Sequence, residues 1–325
     1  MKNLCLFVWL LAASSPAVVI RDDLHDSWYT EIGSKDAYKC VGRILTGTNS
    51  ASGVYIGFGN GAHWLLTAAH VSITSPAEVK FSQGISSGYS LIVSSRIAYN
   101  PHTLGLDDLA LIKIHQFGSA NIPAAKFSKS LLSIPNAVAD HPLVTSVGFG
   151  QTGTGVTGQQ SGTEGTKRGF RNRIDSIGGA YTNGAPGQPG HNVRTYEGYM
   201  ADFDNDTVEN NTLNFADNSH IPDGTKSSKS WEQTEGQLAP GDSGGGLFST
   251  VDSNEVLVGI NSYGVDGGVL GAAGTYGTWS GWTPINRERA LWIREHTGIE
   301  AVPEPGVFLG LASGLLFFRR RRGKQ

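Results

Sequence analysis

The chain has 325 residues, 44 of them glycine, and only 16% carry charge, a composition that favours turns and short strands over long helices. One all-β unit can run to this length, and two stacked barrels fit within it. The formal net charge is −3, but setting aside Lys2, Arg319, Arg320, Arg321, Arg322 and Lys324 leaves 19 bases against 28 acids, or −9. So acidic a body argues against nucleic acid as a partner.

In chain order, Met1-Lys2-Asn3 and the apolar run Leu4 to Ala13 read as the n- and h-regions of a signal peptide. Ser15-Pro16-Ala17 supplies small residues for a signal peptidase cut after Ala17, and the apolar run is too short to span a bilayer. Residues 1–17 are therefore expected to leave on export. Cys5 leaves with them, and the exported body keeps Cys40 alone, so its stability must come from packed cores.

Gly53 to Phe58, Trp64 to Thr67, Leu109 to Ile114, Leu143 to Phe149 and Val256 to Asn261 read as short strands. They are rich in β-branched and aromatic residues and bounded by Gly, Asn or Pro. Residues 150–165, a Gly/Thr/Gln/Ser tract, read as a flexible surface loop, and residues 202–230 as a second long polar stretch. Asp202, Asp204 and Asp206 alternate as in a calcium loop. Thr207 and Leu213 stand where such a loop needs glycine and glutamate, so a solvated acidic loop is the expectation. Strong helical punctuation is confined to residues 284–298: Thr283 can cap, Pro284 fits a first turn and Gly298 can end it.

The chain closes with Val302-Pro303-Glu304-Pro305, an apolar run from Gly306 to Phe318, and Arg319-Arg320-Arg321-Arg322. Residues 302–325 resemble the PEP-CTERM sorting tail of Gram-negative bacteria that make exopolysaccharide. That resemblance implies a transient membrane contact with the arginines on the cytoplasmic side. It also implies removal by an exosortase, and a permanent short anchor is the alternative. The expected location is the cell surface or extracellular matrix.

Three segments carry chemistry: Thr67-Ala68-Ala69-His70, Asp108-Leu109-Ala110-Leu111 and Gly241-Asp242-Ser243-Gly244-Gly245. A serine hydroxyl is a weak nucleophile until a base takes its proton, and the base needs a buried carboxylate to fix its tautomer. Histidine suits the base because its ordinary pKa, about 6.5, lies near neutrality. Asp108 is preferred over Asp107 because it directly precedes the apolar run Leu109 to Ile112, whereas Asp107 is expected to stay solvated. The serine segment also satisfies G-x-S-x-G, the elbow of α/β-hydrolases, with Asp266 and His296 following. That fold needs long amphipathic helices, and the chain shows almost no helical periodicity. His63, His102, His115, His141, His191, His220 and His296 lack a partner motif and read as surface or capping residues.

In type and order these segments resemble the chymotrypsin/trypsin-like serine peptidases, which work through such a triad. The resemblance runs from about Cys40 to Trp292-Ile293. It implies an all-β fold of two packed Greek-key β-barrels, at about 35–120 and 140–283 within a peptidase domain of 18–301, and a short C-terminal helix. It implies His70, Asp108 and Ser243 as the catalytic triad and Gly241 and Ser243 as oxyanion-hole donors. Gln237 would lie at the floor of the first specificity pocket. Ser262-Tyr263-Gly264 would be the strand that pairs with the substrate. It implies protein or peptide substrates and no cofactor or metal.

Some positions depart from that pattern. Val71 replaces a cysteine that animal members bridge to one near Cys40, a bacterial rather than animal signature. Gln237 replaces the trypsin-type aspartate, so a charge-seeking pocket is not expected, although Asp266 could place a negative charge nearby. Gly246 replaces a proline and is expected to loosen its turn. No Ile-Val-Gly-Gly segment exists to supply an ammonium for Asp242; Val18 is a conceivable surrogate, and the partner of Asp242 stays open. The leading expectation is an exported serine endopeptidase. The alternatives are a catalytically silent matrix or adhesion protein, which the tail motivates, and an esterase on the same scaffold.

Overall fold

The computed structural model describes residues 18–47, 49–73, 77–81, 93–99, 107–114, 122–135, 140–183, 192–205, 207, 210, 212–214, 232–265 and 272–302. The expected signal peptide, all of the sorting tail beyond Val302, Asp206, Asp266, His102, His115, His191 and His220 lie outside the described residues. The chain enters through strand β1 (Val18–Ile20), helix α1 (Ser27–Ser34) and a 3-10 turn at Asp36–Tyr38.

A six-stranded sheet follows, built from β2 (Val41–Thr46), β3 (Asn49–Gly59), β4 (Ala62–Thr67), β5 (Ala77–Lys80), β6 (Val93–Ala98) and β7 (Ala110–Ile114). Its order is β5-β2-β3-β4-β7-β6, and the outer strands β5 and β6 come together, which curls the sheet into a barrel. Val41, Ile44, Val54, Leu65, Leu111 and Ile112, which alternate between its two faces, are buried with no more than 1% of their surface exposed. Each such side chain contributes roughly 1.5–3 kcal/mol when removed from water.

The second half comprises β8 (Leu143–Gly148), β9 (Thr152–Thr154), β10 (Gly158–Gln160), β11 (Arg168–Arg173), β12 (Ser176–Asn183) and β13 (Asn192–Asp202). It continues with β14 (Gly236–Gln237), β15 (Gly246–Val251), β16 (Asn254–Val265), β17 (Trp279–Pro284) and α2 (Arg287–Thr297). Seven of these strands form one sheet in the order β11-β8-β15-β16-β17-β13-β12. Its outer strands β11 and β12 are joined only through Ile174 and Asp175, so this sheet also curls on itself. Trp282, fully buried beside Phe170, Tyr199 and Leu247, sits at its centre. The expected architecture of two β-barrels with a short C-terminal helix is therefore the observed one.

Several local expectations are corrected. Residues 150–165 do not form a loose loop: β9 and β10 make a hairpin, and β9 pairs in parallel with β1 (Val18↔Thr152, Ile20↔Thr154). Glycine at 153 makes the hairpin possible, because a Cβ there would lie 1.7 Å from the Gly158 carbonyl oxygen. The acidic stretch is not solvated: Asp202 and Asp204 are buried. Asp202 Oδ2 accepts from Leu213 N at 2.9 Å, and Asp204 N donates to the buried Glu235 carboxylate at 2.8 Å. Burial and the neighbouring Asp204 hold Glu235 well above the usual carboxylate range. His141 is likewise buried rather than superficial, with Nδ1 3.3 Å from Asp175 Oδ1. The C-terminal helix starts later than its punctuation suggested. Thr283 and Pro284 belong to β17, Asn286 is the N-cap accepting from Arg289 N at 2.9 Å, and Gly298 closes the helix at φ 72°.

Helix α1 has no counterpart in the expectations. It packs on β11, where Gly33 lets the two backbones approach; a Cβ there would lie 2.8 Å from the Arg168 backbone. The fully buried Tyr29 ties this segment to the second barrel, its hydroxyl donating to Glu235 O at 2.9 Å and accepting from Arg21 N at 3.1 Å. Removing that hydroxyl leaves both backbone groups unsatisfied. Tyr29→Phe is therefore expected to cost about 1–3 kcal/mol of stability, read as a lowered urea midpoint with an unchanged slope.

Candidate active site

The site lies where the two barrels meet, and strand register brings its parts together. In the β4–β7 pair Thr67 faces Ala110, so His70, three residues past the end of β4, and Asp108, two residues before β7, leave the sheet at the same end. His70 Nδ1 lies 2.7 Å from Asp108 Oδ2, and the His70 backbone N–H donates to Asp108 Oδ1 at 2.8 Å. Two bonds to one carboxylate fix the ring and its position together. His70 Nε2 lies 2.8 Å from Ser243 Oγ in the turn between β14 and β15.

Asp108 is 2% exposed, and burial alone would raise its pKa. The bonds from His70 and from Ser262 Oγ, the latter at 2.5 Å, outweigh burial and hold it below its ordinary value. A carboxylate that stays ionised can stabilise an imidazolium beside it. Asp107 is not simply solvated: it pairs with Arg289 at 3.1 Å, which leaves Asp108 to the site. Ser262, expected to contact substrate, is the bulged residue of β16, where the register shifts between Asn261 and Tyr263. The bulge aims its hydroxyl at Asp108.

The serine turn is locked from three directions. Gly241 and Gly244 take φ values of 98° and 85°, which glycine tolerates and larger residues resist. A Cβ on Gly244 would lie 2.0 Å from Thr67 Oγ1. Asn261, fully buried, accepts from Gly244 N and donates to Val147 O and Asp242 O. Ser52 of β3 spans the barrels. Its N–H donates to Ser243 O at 2.8 Å, its hydroxyl donates to Gly241 O at 2.9 Å, and it accepts from Phe149 N at 3.0 Å. Neither Asn261 nor Ser52 was singled out from the sequence; both lie in ordinary strand runs with no motif signal. Gly246, far from loosening the turn, begins β15 and pairs with both Val147 and Ile260. The Phe248 ring occupies the space of any side chain there.

Among the described residues, the N–H groups of Gly241 and Ser243 donate to no other protein group. They are the pair expected to receive an oxyanion. Beside them opens a pocket of about 300 Å³, lined by Gln237, Ser262, Tyr263 and Gly264, and also by Gln159 of the β9–β10 hairpin. Gln237 is buried and neutral, its Nε2 donating to Trp279 O at 2.6 Å and its Oε1 accepting from Ser280 Oγ at 2.8 Å.

A family model described as a trypsin-like peptidase domain matches residues 51–260. The chain belongs to the trypsin-like peptidase family. A search of the curated proteins finds no match. Membership supports a serine peptidase as the general function and protein or peptide as the substrate, and the geometry above gives that family assignment its local chemistry.

In this trypsin-like domain, the question left open by the sequence concerned Asp242. Its oxygens accept from Gly150 N at 2.8 Å and from Ala239 N at 3.0 Å. Glycines at 148 and 150 leave room for it, since a Cβ on either would lie within 2.6 Å of its carboxylate. The nearest cationic influence is Arg168, fully buried and joined to Asp26 through two bonds of 2.5 and 2.7 Å. Cys40, by contrast, is buried and its thiol is pushed up to about 12, so it takes no part in nucleophilic chemistry at neutral pH.

Burial pushes Asp242 up to about 7 despite its N–H partners and Arg168. In the unfolded chain an aspartate titrates near 4. Between those values the folded state holds more protons, so this group's stabilisation is complete below about pH 4 and is lost as pH rises through 7. In Asp242→Asn that dependence disappears, while groups common to both proteins cancel in the difference. The stability advantage of the native protein over the variant, from urea unfolding, should shrink by about 2.5 kcal/mol between pH 5 and pH 8. Equal differences at the two pH values would refute the titration.

Proposed function

We propose that the protein is an exported serine endopeptidase in which Ser243 is the nucleophile, His70 the general base and acid, and Asp108 the group that orients and stabilises the imidazolium. The observation that carries this reading is the unbroken run Asp108 Oδ2, His70 Nδ1, His70 Nε2 and Ser243 Oγ, with steps of 2.7 and 2.8 Å across the ring. Ser243 Oγ adds to a peptide carbonyl carbon as His70 Nε2 takes its proton. The oxyanion that forms faces the N–H groups of Gly241 and Ser243, a class of interaction worth about 3–4 kcal/mol per donor. His70 then hands the proton to the leaving amine, the C–N bond breaks, and an ester to Ser243 remains. Water, deprotonated by His70, adds to that ester; the C–Oγ bond then breaks, His70 returns the proton to Ser243 Oγ, and the new acid leaves and ionises in water.

The acyl side of the substrate would lie along Ser262-Tyr263-Gly264, its side chain entering the pocket above Gln237. With a neutral amide there, satisfied by Trp279 and Ser280, this reading favours an uncharged side chain over Lys or Arg. Export rests on the leader-like residues 1–17, and surface or matrix placement on the sorting-like residues 302–325. Signal peptidase and an exosortase are the processing partners so implied.

Ser243→Ala is expected to lower turnover on a diverse peptide library by about a million-fold. A fluorophosphonate should label the native protein and leave the variant unmarked. Failure of the native protein to label would favour the silent, matrix-protein alternative, and labelling with cleavage of esters but no peptide would favour the esterase.

A further inference from the structure

On the far side of Ser243 from the Gln237 pocket lies a second and larger cavity of about 430 Å³. Its wall includes His70, Ser50, Gln151, Gly241, Ser243 and Glu164. The two cavities share Ser243 and Pro240, so one extended peptide crossing the nucleophile passes from the first into the second. His70, which would protonate the leaving nitrogen, stands on this second wall. The cavity therefore faces the residues that follow the bond being cut.

Among the described residues, Glu164 is its one carboxylate. Oε2 of Glu164 is shielded from solvent and has no hydrogen-bond partner among the described residues. The charge nearest to it belongs to Arg43, half-buried, whose Nε is engaged by Ser50 Oγ at 2.8 Å. The Arg43 guanidinium packs against Gly165, where a Cβ would lie 2.3 Å from Nη1. The backbone around Glu164 is held in place: Gly165 N donates to Phe149 O at 3.0 Å and Thr152 N to Thr163 Oγ at 2.9 Å. Glu164 as a whole is only partly buried, so its carboxylate charge stands on the wall of the cavity, where it attracts a cationic side chain, and hydrogen bonds to charged groups are the stronger kind. Arg43 offsets part of the carboxylate's field but supplies no bond to Oε2.

Resting on the endopeptidase reading, we propose that Glu164 forms a subsite for a lysine or arginine side chain within the first three residues on the amine side of the scissile bond. The enzyme would thus read a neutral residue before the cut and a basic one after it. Specificity would be divided between the two sides of the nucleophile, with Gln237 and Glu164 both belonging to the second half of the chain.

Internally quenched peptides that are identical on the acyl side and carry Lys, Arg, norleucine or Glu at each of the three following positions test this. At one position, the native protein should cleave the Lys and Arg peptides with kcat/KM about tenfold or more above norleucine. In Glu164→Gln that ratio should fall towards one while the norleucine peptide is cut within about twofold of the native rate, and in Glu164→Lys the Glu peptide should become the preferred one. Equal cleavage of all four by the native protein, or a basic preference that survives in Glu164→Gln, overturns the subsite and leaves the peptidase intact. No cleavage above the Ser243→Ala background for any peptide overturns the endopeptidase reading, and the subsite with it.

Discussion

The hydroxyl and the imidazole that must touch belong to different barrels, and two barrels in contact are free to slide unless something crosses between them. Beside the Ser262–Asp108 and Arg289–Asp107 contacts, Ser52 is the crossing that reaches the nucleophile's own turn. From the middle of β3 in the first barrel it makes three hydrogen bonds to the second, two of them to the turn that carries Ser243 and one to Phe149. Thr67, at the end of β4, donates to Ser52 O at 2.8 Å, so the strand that delivers His70 is fastened to the same residue. Each bond alone contributes roughly 1 kcal/mol. Their value lies in sharing one rigid strand, so that the 2.8 Å between Ser243 and His70 is set by backbone geometry rather than by the two side chains.

The site also depends on carboxylates kept where water would normally be needed. Asp108 and Asp242 are both buried, and they meet the penalty differently. Asp108 has three donors, from His70 twice and from Ser262, and stays readily ionised. Asp242 has two backbone donors and only a distant cation in Arg168, and its ionisation is pushed towards neutrality. Donor number separates the two roles: one carboxylate to serve an imidazolium, one to hold the shape of a turn.

The sequence made the proposed triad legible because each member sits in a short segment whose small residues and flanking apolar run have a direct steric meaning. Gly244 and Gly245 had to be small, and Leu109 to Ile112 had to be a buried strand. The strand-rich, two-barrel class was legible for a similar reason, since alternation and turn residues act locally. What escaped depends on pairing between distant segments. Ser52 and Asn261 gain importance only through the partners the fold supplies, and nothing in their neighbours signals it. Residues 150–165 looked unstructured because their order comes from β1, more than a hundred residues earlier. Asp202 and Asp204 looked solvated because the groups that bury them, Leu213 and Glu235, come later in the chain.

The same long-range pairing reaches the pocket proposed for the substrate. β14 carries Gln237, and its ladder partner is β1, with Val19 opposite Gln237 and Ile20 opposite Gly236. On its other edge β1 holds β9, which holds β10 and Gln159. Both glutamine-bearing walls of the pocket therefore hang on one three-residue strand near the start of the described chain. That strand is fully packed, with Val18, Val19 and Ile20 at most 5% exposed, and Val19 also lies under Gly274. With a single free cysteine in the described body, no covalent bridge braces these walls. Backbone hydrogen bonds and the burial of three β-branched side chains must do so, which makes the width of the Gln237 pocket a property of the N-terminal segment as much as of the turn that contains Ser243.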